Sequence, residues 1–120
     1  MINFRKYILW AVSLLVVILL FAGIDYILHT IRVEWAVPDY YFHNKIIYGF
    51  LWSIPALGLA LLFHKVWQRA FIFSFVISII LQIRYYFEGY PLDFVLIFLF
   101  IHFAILFVLS LIMFKLNKYI

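Results

Sequence analysis

Asp25 and His29 stand four residues apart in the stretch FAGIDYILHT, where the first long apolar run of the chain gives way to polar residues. On a helix that spacing places a carboxylate and an imidazole on one face, one turn apart. Such a pair supports two kinds of chemistry. A histidine beside a carboxylate exchanges protons near neutral pH, because imidazole ordinarily titrates there and responds readily to its surroundings. An i, i+4 pair of oxygen and nitrogen donors also begins a divalent metal site, in which zinc lowers the pKa of its bound water to about 7 and makes it a nucleophile.

The setting of this pair follows from composition. The chain has 120 residues, 70% hydrophobic and 23% aromatic, with 12% charged. That excludes an ordinary water-soluble domain, in which about half the residues are apolar and a quarter charged. The net charge of +4 comes from basic residues scattered at the ends of apolar runs, so no nucleic-acid surface is expected. With no cysteine, disulfide and thiolate chemistry are excluded.

Uncharged runs cover residues 7–24, 46–63, 70–83 and 94–114. Crossing the hydrocarbon takes about 20 helical residues, so three runs suffice and the third spans only if Arg84 is drawn in. The expected fold is an all-α bundle of four transmembrane helices, up-down-up-down, near 6–30, 42–64, 69–88 and 93–115, forming one domain over 1–120. The first run is read as a span rather than a signal peptide, because it is long and no Ala-x-Ala site follows. Arg5, Lys6, Lys65, Arg69, Lys115 and Lys118 fall on one side of the spans against Arg32, Lys45 and Arg84 on the other, which predicts a multi-pass cell-membrane protein with both termini cytoplasmic. Asp25, Glu34, Asp39, Glu88 and Asp93 then all lie toward the outside. His64, Lys65 and Arg69, in the cytoplasmic turn, are read as orientation determinants beside anionic headgroups.

Helical projection sorts the faces. Ala11, Leu15, Ile18, Ala22, Asp25 and His29 share a stripe on the first helix, and Gly49, Ser53, Ala56 and Ala60 form a small-residue stripe on the second, suited to close helix packing. The third presents Ser74, Ser78, Leu81, Tyr85 and Glu88, with Arg84 on its flank. Pro55 removes the usual partner of the Leu51 carbonyl, so a bend or side-chain donor is expected there. Asp39 and Asp93 read as caps of the second and fourth helices. Trp35, Tyr40, Tyr41, Tyr86 and Tyr90 at the outer boundary, and Trp10 and Trp67 at the inner one, read as an aromatic belt.

The remaining ionisable groups, Asp25, His29, Arg84, Glu88 and His102, form the expected polar cluster. His102, about 14 Å along its helix, must be neutral, paired or hydrated. Four readings follow. In a structural clasp Asp25 pairs with Arg84, His29 bonds a loop carbonyl or Glu88, and His102 bonds a serine or tyrosine. In a proton- or cation-responsive transport or sensing site the cluster opens outward, with the Gly49 to Ala60 stripe as the contact of a homo-oligomer. In an intramembrane metal-dependent hydrolase, Asp25, His29 and His102 hold an ion such as zinc; His43 lies too far from His102 to join them. In an accessory or assembly subunit the packing faces bind another protein of a larger membrane complex. No cofactor other than such a metal is expected, and the lipid bilayer is the expected partner.

Overall fold

The structure, a computed structural model, describes residues 4–117; Lys118, counted above among the orienting charges, lies outside them. Four α-helices follow one another: α1 (Phe4–Ile31), α2 (Tyr40–Ala60), α3 (Val66–Phe87) and α4 (Leu92–Asn117), with a short 3-10 turn, η1 (Val33–Trp35), between α1 and α2. Among the described residues there is no strand. The helices close a ring in which each packs on its chain neighbours and α1 packs on α4. Trp10 meets Phe114, and Asn117 Nδ2 donates to Ser13 Oγ at 3.2 Å. The start of α1 and the end of α4 therefore share one end of the bundle, opposite η1.

Three helices, α1, α3 and α4, are long and apolar enough to cross a membrane. α2 is less apolar because its first turns carry His43, Asn44 and Lys45. The side chains support a lipid solvent. Leu19, Ile27, Ile54, Phe100 and Val108 point outward, whereas Asp25, Lys45, Gln82 and His102 are buried. An interior holding the charges beneath an apolar exterior inverts the arrangement water selects.

α2 stops at Ala60 rather than near residue 64. Its last carbonyls are taken by short-range bonds, Leu62 N–H to Leu59 and Phe63 N–H to Ala60, while Arg69 Nε donates to the Phe63 carbonyl at 2.7 Å. These satisfy orphan acceptors of the last turn and turn the chain into α3. Pro55 lies inside α2 on its exposed side, and the helix runs through it. α3 draws in Arg84 as spanning requires and is closed by Gly89, two residues past its last turn, whose φ of +88° suits a residue without Cβ. The Gly89 N–H bonds the Tyr86 carbonyl and the Tyr90 N–H the Tyr85 carbonyl, a Schellman closure.

Several expected faces are corrected. On α1 the buried side runs through Trp10, Leu14, Val17 and Ile18, leaving Ala11 and Leu15 exposed. The Trp10 ring against Phe114 fills more of the bundle end than Ala11 would, so Trp10 leaves the aromatic belt for the core. Tyr41 is buried too, stacked on Tyr85 at 6.0 Å, whereas Tyr40, Trp67 and Tyr86 are exposed as a belt requires. Asp39 makes no side-chain cap bond. Asp93 stands one residue inside α4 and accepts the Phe94 N–H at 2.9 Å. Gly49, Ser53, Ala56 and Ala60 are buried within the chain itself. A Cβ on Gly49 would stand 3.4 Å from Ile18, so at Gly49 the stripe seats α2 closely on α1.

Candidate functional site

Asp25 is the hub. It sits six residues before the end of α1, facing α2 and α4, and is fully buried. Its Oδ2 pairs with the Lys45 ammonium from α2. Its Oδ1 accepts from His102 Nε2 at 2.8 Å and lies 3.3 Å from His29 Nε2. Three helices thus deliver four ionisable groups to one buried place between them.

The outer bonds assign proton positions, because a carbonyl only accepts and an ammonium only donates. His29 Nδ1 stands 2.6 Å from the Trp35 carbonyl in η1, so Nδ1 carries the hydrogen. In the neutral ring the lone pair is then on Nε2, which faces Lys45 Nζ at 3.5 Å and the Tyr85 hydroxyl at 3.3 Å. The ring is fixed by stacking on Phe98, centroids 4.1 Å apart. His102 donates from Nε2 to the carboxylate, and its Nδ1 accepts from Gln82 Nε2 at 2.7 Å. Gln82 Oε1 and Ser78 Oγ, one turn apart on α3, are buried without a hydrogen-bond partner among the described residues. Gln82 can therefore turn its amide and offer Oε1 to a cationic His102 without giving up a bond that Oε1 makes now.

Of the expected cluster, Asp25, His29 and His102 come together, and Arg84 and Glu88 do not. Arg84 Nε bonds Oε1 of Glu88, the residue capping α3, at 3.1 Å, both about one-third exposed, and the guanidinium lies 4.8 Å over the Tyr41 ring. The Asp25–Arg84 clasp is thereby replaced by Asp25–Lys45: Arg84 lies near the end of α3, and the ammonium of Lys45 already fills the carboxylate's open side. His29 does bond a loop carbonyl. His102 bonds the carboxylate and an amide in place of a serine or tyrosine, and His43 is exposed. Arg84→Gln is expected to cost under about 1 kcal/mol, the range of exposed ion pairs, as read by thermal unfolding in detergent.

Comparison with known proteins gives no answer. No family model, no curated protein and no solved structure matches this chain. The chemistry rests on the geometry alone.

Two residues were missed, and both had a signal. Stepping four residues back from Gly49 along the small stripe of α2 reaches Lys45 and then Tyr41, both buried. Stepping four residues on from Ser78 reaches Gln82, whereas the projection took the three-residue step to Leu81.

Two clefts reach the cluster. One, about 390 Å³, lies beneath η1 and is lined by Tyr26, His29, Arg32, Asp39 and Phe42 among others. At its rim Arg32 pairs with Glu34, and the Glu34 carboxyl is held below its ordinary range, first by its own backbone N–H and then by Arg32. The other, about 380 Å³, opens between α2 and α3 and has Lys45 in its wall.

Proposed function

We propose that this chain is a four-span membrane protein whose Asp25 network exchanges protons with the solution at the η1 end, in a proton-responsive transport or sensing activity. One observation carries the reading: a fully buried carboxylate is bonded by an ammonium and by the His102 imidazole, and a second imidazole, His29, stands 3.3 Å from it and lines the cleft under η1. The excess of basic residues at the opposite end supports an orientation with η1 outside and both termini in the cytoplasm.

The working step is electrostatic. A proton taken up on His29 Nε2 turns that nitrogen into a donor toward Asp25 Oδ1. It also places a second cation 3.5 Å from Lys45 Nζ. Two unit charges at that distance repel by about 5 kcal/mol at an effective dielectric of about 20, before Asp25 screens them. Protonation therefore favours moving the ammonium away from His29, toward the α2–α3 cleft. His102, itself held by Gln82, bonds the carboxylate from the other side, and Tyr85 offers His29 a hydroxyl.

The metal hydrolase is the weaker reading. The donor atoms of Asp25, His29 and His102 lie within 4.8 Å of one another, compact enough for a divalent ion. The Lys45 ammonium stands in the same space, and a dication about 4 Å from it would be opposed by about 8 kcal/mol at the same dielectric. The ammonium already supplies the positive charge an ion would bring. An accessory role is supported only by the apolar exterior, which lipid explains equally.

Trp35, whose carbonyl holds His29, is a natural reporter. With Trp10, Trp52 and Trp67 changed to Phe and the protein in liposomes, lowering the pH at the η1 side from about 8 to about 5, the span in which histidine ordinarily changes charge, is expected to alter Trp35 emission. His29→Ala should abolish the response, and the same step on the opposite side alone should leave emission unchanged. An indifferent wild type, or a His29→Ala protein that responds in full, would refute the proposal.

A further inference from the structure

The cleft between α2 and α3 is amphipathic along its length. Toward the η1 end its walls carry Asn44, Lys45, Tyr48 and Arg84; deeper, they are Trp52, Ile77, Ile80 and Leu81. Arg84 is three residues from the end of α3 and Lys45 five from the start of α2, so the polar part lies about 5–8 Å below the helix ends. From that depth the Arg84 guanidinium, bonded to Glu88 at the helix terminus, reaches toward the headgroup level, and the apolar walls below face the acyl chains.

We infer that this cleft binds an anionic phospholipid, its phosphate beside Arg84, Asn44 and Tyr48 and an acyl chain against Trp52, Ile77 and Ile80. Both cations already have carboxylates, and the placement of these matters. Asp25 is buried on the far side of Lys45, and Glu88 is bonded to Arg84 from the α3 terminus; neither lines the cleft. The cleft therefore faces the positive ends of two ion pairs. A guanidinium has five N–H donors, and the Glu88 contact uses one of them. Lys45 is nearly covered and contributes field, whereas Arg84, one-third exposed, is the contacting donor. The volume of about 380 Å³ suits a headgroup and the first part of one chain rather than a whole lipid. Neither the phosphate nor the chain requires a change of protonation, so the inference is independent of the proton reading.

Trp52 makes the test direct. With Trp10, Trp35 and Trp67 changed to Phe, Trp52 quenching is measured at one neutral pH in phosphatidylcholine vesicles containing either brominated phosphatidylglycerol or brominated phosphatidylcholine. The anionic lipid is expected to quench at about fivefold lower mole fraction, the factor for one engaged basic residue near an anionic surface. Arg84→Gln should bring that ratio near one, Arg84→Lys should keep most of it, and Lys65→Gln with Arg69→Gln, at the other end, should leave it unchanged. Equal quenching by the two lipids, a preference that survives Arg84→Gln or falls equally in the distant pair, or no quenching of Trp52 by either lipid because protein covers the cleft, would overturn the assignment.

Discussion

Asp25→Asn is expected to lower stability in detergent by about 3–5 kcal/mol, the cost of leaving one member of a buried ion pair without its partner. Asparagine fills the space of the aspartate and still accepts from His102, so the loss is electrostatic rather than steric. What remains is the Lys45 ammonium, buried between His29 and the rings of Phe42 and Tyr85, each centroid 5.1 Å away. Ring faces attract a cation only weakly compared with the water it has given up. Lys45→Met should cost a similar amount for the converse reason, because Asp25 then keeps two neutral imidazoles and no counter-charge. The double variant, with neither charge, should recover most of the loss, since replacing both members of a buried pair is often nearly neutral. Unfolding measured for the four proteins decides the matter; additive losses would mean that the two groups act separately.

His102→Leu is the second large effect, about 3 kcal/mol or more. It removes a hydrogen bond to a charged group, worth about 1.5–3 kcal/mol, and leaves the Gln82 amide, already short of a partner for Oε1, with its donor stranded as well. Adding Gln82→Leu should return part of that stability, because removing both partners of a buried bond costs less than removing one. His43→Leu is the control: an exposed histidine of the same chain, it should change unfolding by less than about 0.5 kcal/mol. Equal effects at positions 43 and 102 in detergent unfolding would contradict the burial and bonding described for His102.

Much of this arrangement is legible in the sequence, for identifiable reasons. Asp25 and His29 interrupt an apolar segment at helical spacing, so their inward direction follows from the cost of pointing a charge at lipid. The Gly49 to Ala60 stripe marks the face of α2 on which the chain packs. The counter-ion is harder to read. Lys45 sits where an interfacial lysine would snorkel to the headgroups, and only the register of the stripe below it shows that it turns inward. Arg84 presents the opposite case, a guanidinium within a span that finds a carboxylate one turn further along its own helix. Which cation meets Asp25 is a matter of helix rotation and depth, set by packing among all four helices. The outward shift of Ala11 and Leu15 has the same origin: the Trp10 and Phe114 rings fix the rotation at that end of α1. The 3-10 turn, and the carbonyl of Trp35 that sets the His29 tautomer, depend on tertiary contacts with no local sequence pattern to announce them.

As proposed, the buried Asp25 hub takes part in proton exchange with the η1 side. Infrared difference spectra between about pH 8 and about pH 5, recorded on reconstituted protein, read it most directly. Imidazole bands that vanish in His29→Ala are expected, together with a perturbed carboxylate band that vanishes in Asp25→Asn. Spectra in which neither variant removes a band, with His29 and Asp25 silent across the whole range, would contradict that exchange.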